Sequence, residues 1–294
     1  MTEYPPEEVL KSFEKHERAA IKAGLLPRER SAHVIPKVCK DFGVQYVISP
    51  WQKPHPLISH LESLYSKILR QADRGAGAIF TGVACHLDSF FPVIFPIAYG
   101  TCRLDVRDCI EINDEQWSRL KCFPEEHDEF MFQVCDVFDI GASLGCYDDF
   151  SMPDGYAGDL FRLSCQYMEA AVAAAIGNFR LKGAVQSAIV AAELSVKSAA
   201  VVVSDLNETQ LREEIGHRIS DAKKFICTDP RYDWSALAAQ IKNMPELVRN
   251  RYDPQSFSRT EARKVIISAQ RVIALNAASY SGATSRNKFY VPTR

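Results

Sequence analysis

Strand signals stop near residue 150, and this change of hydrophobic period constrains the fold more than any other feature of the chain. Residues 160–180 and 181–204 are Ala-rich and helical in pattern, joined near Lys182 and Gly183. Residues 207–226 hold a short connection and a third helix, and Pro230 then breaks the chain. A short helix follows at 234–248 and a long one at 260–278, while 279–294 reads as a loose tail. Helices without strands bury their apolar stripes only against one another, so this half is expected to be a helical bundle.

The first half is mixed. Pro5 and Pro6 suit a helix opening, Glu7 and Glu8 complement its dipole, and Gly24 marks its stop. Leu57, Ile58, Leu61, Leu64, Tyr65 and Ile68 follow helical spacing. Residues 43–49 between them read as a short strand ended by Pro50. After Arg74 and Gly75 the pattern turns to strands. Residues 101–112 alternate, with Cys102, Leu104, Val106, Ile110 and Ile112 on one face, and 130–140 repeat the pattern from Phe130 to Ile140. Each of these segments carries one Asp on its apolar face, Asp108 and Asp136. Neighbouring strands in register would pair those carboxylates, whereas a bulge would return each to water. The acidic, turn-rich segment CYDDFSMPDGYAG at 146–158 marks a boundary. The expected class is α+β: an N-terminal mixed α/β domain with an antiparallel sheet (1–150), an all-α bundle (156–280) and a basic tail (281–294).

Composition narrows the function classes. The longest apolar stretch, 77–100, is interrupted by His86, Asp88, Pro92 and Pro96, which suits a core and not a membrane span. The opening MTEYPPEEVL lacks a secretory layout, and nine cysteines without a C-x-x-C pair suit reduced thiols, so a cytoplasmic location is expected. A net charge of -2 excludes a wholly basic nucleic-acid binder, yet acids outnumber bases by 15 to 4 across 103–159. Across 249–294 nine Lys/Arg stand against Asp253 and Glu261. Such a basic stretch meets phosphates, forms a solvated face, or is masked by the acidic segment in a contact that salt loosens.

Three pieces of the second half carry a resemblance. They are AVQSAIVAAELSVKSAAVV, with Ala184, Ala188 and Ala191 and the pair Glu193 and Lys197; LREEIGHRISDAKKFI, with His217, Arg218 and Ile219; and RNRYDPQSFSRTEARKVIISAQRVI, with Arg251 and Tyr252. In this order they resemble the HEPN family of helical domains, over less than half of the chain. The resemblance implies a helical bundle, a homodimer, RNA or nucleotide as partner, no cofactor, and in some members a toxin or defence role. Catalytic members resemble metal-independent endoribonucleases with an Arg, four to six residues, then a His, and Arg212 and His217 fit that spacing. His217 would move a proton between the 2′-OH and the leaving oxygen, and Arg212 would neutralise charge on the phosphorane. Residues five apart on one helix diverge by about 140°, so Gly216 would have to interrupt the helix. Glu213 departs from the Asn, Asp or His common after the Arg, and it repels phosphate together with Glu214. Arg249, Arg251 and Tyr252 are a second candidate, for binding RNA, a phosphate or a nucleotide near the start of the last helix, where backbone N–H groups favour anions. Structurally, Tyr252 would instead pack, and the arginines would pair with acids of the first domain. The alternative is a non-catalytic helical module for dimerisation or binding, with an N-terminal recognition domain. A Cys85–His86 nucleophile pair and a zinc site from His55, His60, Cys85 and His86 are weaker readings.

Overall fold

The computed structural model describes residues 4–46, 55–69, 78–97, 105–147, 149–177, 181–245 and 256–286. Among these, eleven helices and one two-stranded antiparallel sheet make an α+β chain dominated by helix. It divides into two compact units, 1–78 and 79–294, and the turn-rich segment at 146–158 lies inside the second.

The first unit holds α1 (Pro6–Lys22), α2 (Pro27–Asp41) and α3 (Pro56–Ile68), each opened by a proline. Proline suits that position because its missing N–H has no intrahelical partner there. Gly24, at φ +79°, ends α1 as expected. No helix is expected at α2, which is polar and carries Pro36 inside it. Of the strand expected at 43–49, Gly43 lies in a turn, 44–46 belong to no strand, with the Val44 N–H donating back to Cys39 O at 2.8 Å, and 47–49 lie outside the described residues. Val34, Val38 and Leu61 are fully buried at the centre of this unit. Beside them the Tyr65 hydroxyl donates to Glu17 Oε2 at 2.6 Å.

The second unit opens with a hairpin, β1 (Ala78–His86) and β2 (Ser89–Pro96). Only Leu87 and Asp88 join the strands, with Leu87 in the left-handed region at φ 55°, and so short a link makes the pair antiparallel. An isolated hairpin is marginal in water. This one is embedded in helices. On β1 the N–H groups of Thr81, Val83 and Cys85 donate to side chains: Glu169 at 3.0 Å, Gln270 at 2.9 Å and Gln133 at 2.7 Å. Gln270 Nε2 in turn donates to Val83 O at 2.9 Å, as a neighbouring strand would. Beside β2, Val93 bridges to Ile110 and the Glu111 N–H donates to Pro92 O at 3.0 Å.

That single bridge is what exists of the strand expected at 101–112. Residues 101–104 lie outside the described residues, and Val106–Cys109 is a 3-10 turn capped by the Asp105 side chain. After α4 (Asp114–Lys121), the strand expected at 130–140 is also corrected. It lies within a helix, α5 (Pro124–Gly145). Gln133 through Ser143 are all buried, and a helix buried all round satisfies any apolar alternation laid along it. The stronger signals were Pro124 at the first helical position and Glu125 and Glu126 in the first turn. Without the strands, no Asp108–Asp136 carboxylate pair forms.

Helices α6 (Gly155–Ile176), α7 (Leu181–Ser204) and α11 (Arg259–Ser281) pack together as the all-helical reading expected. Length and hydropathy would let α7 span a bilayer. Here it is the central core helix, with Ala184, Ala188, Ala191 and Ala199 fully buried. Between α7 and α11 come α8 (Glu208–Glu214), a 3-10 turn (Ile219–Ala222), α9 (Lys223–Ile226) and α10 (Trp234–Ile241). The start of the expected loose tail is not loose. Gly282, at φ +70°, reverses the chain, and Ser285 is fully buried against α5.

Candidate functional site

The site is built on the turn that follows α8. Asn207 and Gln210 open that helix with reciprocal side-chain caps, and Gly216, left-handed at φ +53°, takes the chain off the helical path. The expected interruption before His217 is therefore present. It turns the imidazole toward α7 and not toward Arg212. His217 Nδ1 lies 3.1 and 3.3 Å from the two carboxylate oxygens of Glu193. Lys197, one turn further along α7, donates to the same carboxylate at 2.6 Å. Glu193 is 5% exposed, so its charge stays buried only because two side chains hold it.

Arg212 is elsewhere. Its side chain is 80% exposed and stands 3.9 Å from Glu208 on its own helix, and no hydrogen bond or ion pair joins it to His217. Glu214 is bound by Lys224 in a close ion pair. Beside His217, Arg218 is exposed, and an open hollow of about 430 Å³ lies over Ser220, Asp221, Lys223, Lys224 and Cys227. The imidazole is 62% exposed with Nδ1 on the carboxylate, which leaves Nε2 for a ligand or a proton.

The second predicted set, Arg249, Arg251 and Tyr252, lies outside the described residues. The helix end they precede already holds an anion. Glu261 Oε2 accepts from the Ser258 N–H at 2.9 Å and from its hydroxyl at 2.7 Å, and these bonds keep its carboxyl below the usual range. The basic C-terminal stretch is neutralised by the acidic segment in part. Arg263 meets Glu129 at 2.8 Å, while Arg271 and Arg286 both meet Asp136, at 2.7 and 3.0 Å.

The weaker candidates do not assemble. Burial pushes the Cys85 thiol up to about 12, and His86 is turned to Glu126 at 2.5 Å. No group of three potential metal ligands converges among the described residues. Sequence reasoning passed over Asp139, which α5 buries beneath the C-terminal turn at 1% exposure. No local motif marks it, because its partners lie at the far end of the chain.

Neither a scan of protein-family models nor searches of curated proteins and of solved structures returned a match for this chain.

Proposed function

We propose that the second unit contains a HEPN-like helical domain that binds RNA or a nucleotide through the segment carrying His217, without cleaving it. One observation carries this reading. Glu193, Lys197 and His217, which bear the sequence resemblance in two separate pieces, converge on one carboxylate at 2.6 and 3.1 Å. Arg212 stays on its own helix, so the Arg–His arrangement that cleavage needs is not assembled within one chain. The exposed imidazole, Arg218 and Lys223 of the hollow supply donors for phosphate. A homodimer through the helical domain belongs to the same proposal.

The oriented imidazole favours a second reading, since a His held by a buried carboxylate is also the arrangement of a general base. One experiment separates the two. Wild type and His217→Ala are incubated with single-stranded RNA in excess chelator, and retention and cleavage are both scored. Binding by the wild type, weakened several-fold in the variant with the RNA intact, is expected. Cleavage that leaves 2′,3′-cyclic phosphate ends and is lost in the variant would establish the ribonuclease instead. Equal retention by both proteins would remove His217 from the site.

A further inference from the structure

We infer that phosphate binding at His217 is coupled to the uptake of one proton, so that the site holds its ligand on the acid side and weakens as pH rises. The inference rests on the reading that the His217 segment binds the phosphates of RNA or a nucleotide. The coupling follows from which ring nitrogen is already engaged. His217 Nδ1 lies 3.1 and 3.3 Å from the two oxygens of Glu193. Lys197 donates to Oε1 of the same group at 2.6 Å, which holds Glu193 as a carboxylate, and a carboxylate only accepts. Nδ1 is therefore the donor. A neutral imidazole carries a single N–H, and here Glu193 takes it. Nε2 is then a bare lone pair facing outward, which repels a phosphate oxygen. It becomes a donor only in the imidazolium, where both nitrogens carry hydrogen.

Charge points the same way. Glu193 and Lys197 neutralise each other one turn apart on α7, so as a pair they offer a phosphate no net attraction. Around the turn, Arg218 and Lys223 are exposed cations, Asp221 and Cys227 line the hollow, and Glu214 is bound by Lys224. On α8, Arg212 stands beside Glu208 and Glu213 is exposed. Of these side-chain types only the imidazole ordinarily changes charge between about pH 5 and about pH 8. Protonation gives it a second donor and a positive charge toward the ligand, and a bound phosphate favours the imidazolium in return. Affinity is thus full below the pH at which the free ring titrates and declines as pH rises through and beyond it. Arg218 and Lys223 supply the binding that persists on the alkaline side.

The test uses the full chain and an oligouridylate with hydroxyl ends, a probe whose phosphodiesters keep their charge over the range. At constant ionic strength, wild-type affinity is expected to fall about tenfold from about pH 6 to about pH 8, as one charge-assisted hydrogen bond is lost. His217→Gln keeps an amide that can donate to Glu193 but cannot ionise, and it is expected to bind weakly and equally at both pH values. Wild-type affinity that is level, or that falls equally in the variant, overturns the proton coupling. If the variant nonetheless binds more weakly, the RNA-binding reading stands without it. Binding at neither pH overturns both. A nitrogen-15 NMR spectrum of the free wild type depends on neither the variant nor RNA. In the neutral ring the proton is expected on Nδ1, and a proton on Nε2 overturns the proposal.

Discussion

At the scale of single residues, the second unit depends on polar side chains standing in for backbone. Gln270 is 1% exposed and satisfies both the N–H and the carbonyl of Val83, with a further bond to Gln133 O at 3.2 Å. Replacing it with Leu keeps nearly the same volume but leaves those buried groups unpaired. Each orphan costs about 1–3 kcal/mol, so Gln270→Leu is expected to lower stability by about 2–4 kcal/mol in urea unfolding. A loss under about 1 kcal/mol would mean that water takes over these bonds. His217, Glu193 and Lys197 were all legible in the sequence as members of the resembling pieces. Their meeting was not, because Glu193 and His217 are 24 residues apart and Gly216 decides which way the imidazole turns.

At the scale of elements, the hairpin and α5 fit together through two glycines. A Cβ on Gly82 would stand 2.4 Å from Val137 Cγ2, and one on Gly141 would stand 2.4 Å from the Phe95 ring. Alanine at a helix interior is favoured over glycine by about 1 kcal/mol, so a lone α5 would gain from Gly141→Ala. Here the close approach wins. Gly141→Ala is expected to destabilise the protein by about 1–3 kcal/mol through overpacking, with its thermal midpoint as the readout. An unchanged or raised midpoint would show that Phe95 can swing away. The same packing explains what the sequence could reveal about each element. On α6, α7 and α11 small residues recur at helical spacing, so the period is plain. On α5 nearly every side chain from Phe130 to Ser143 is buried, and the polar line Gln133, Asp136, Asp139 and Ser143, at helical spacing, lies inside the core and not on a solvent face. On the polar α2 the buried Val34, Ile35, Val38 and Cys39 keep helical spacing, but Pro36 among them argues against a helix on sequence alone. Charge asymmetry was readable, and its outcome is partly visible in Glu129 and Asp136 meeting arginines of the C-terminal stretch.

At the scale of the whole molecule, each compact unit has its own core, one centred on Val34, Val38 and Leu61 and the other running from Phe80 to Ala277. Calorimetry of the full chain is expected to resolve two transitions. Phe13, 4% exposed and edge-on to Tyr65 at 5.0 Å, belongs to the first core alone. Phe13→Ala should remove about 3–5 kcal/mol from one transition and leave the other in place. A single transition that shifts as a whole would show that the units unfold together.

The side chains laid along β1 also close its outer edge. An open strand edge invites an extended peptide or a second copy to add itself to the sheet. Along Thr81, Val83 and Cys85 that invitation is withdrawn, because three separate helices already occupy the hydrogen bonds a newcomer would need. An intruding strand would have to displace Glu169, Gln270 and Gln133 together, so cross-β stacking on this edge is disfavoured.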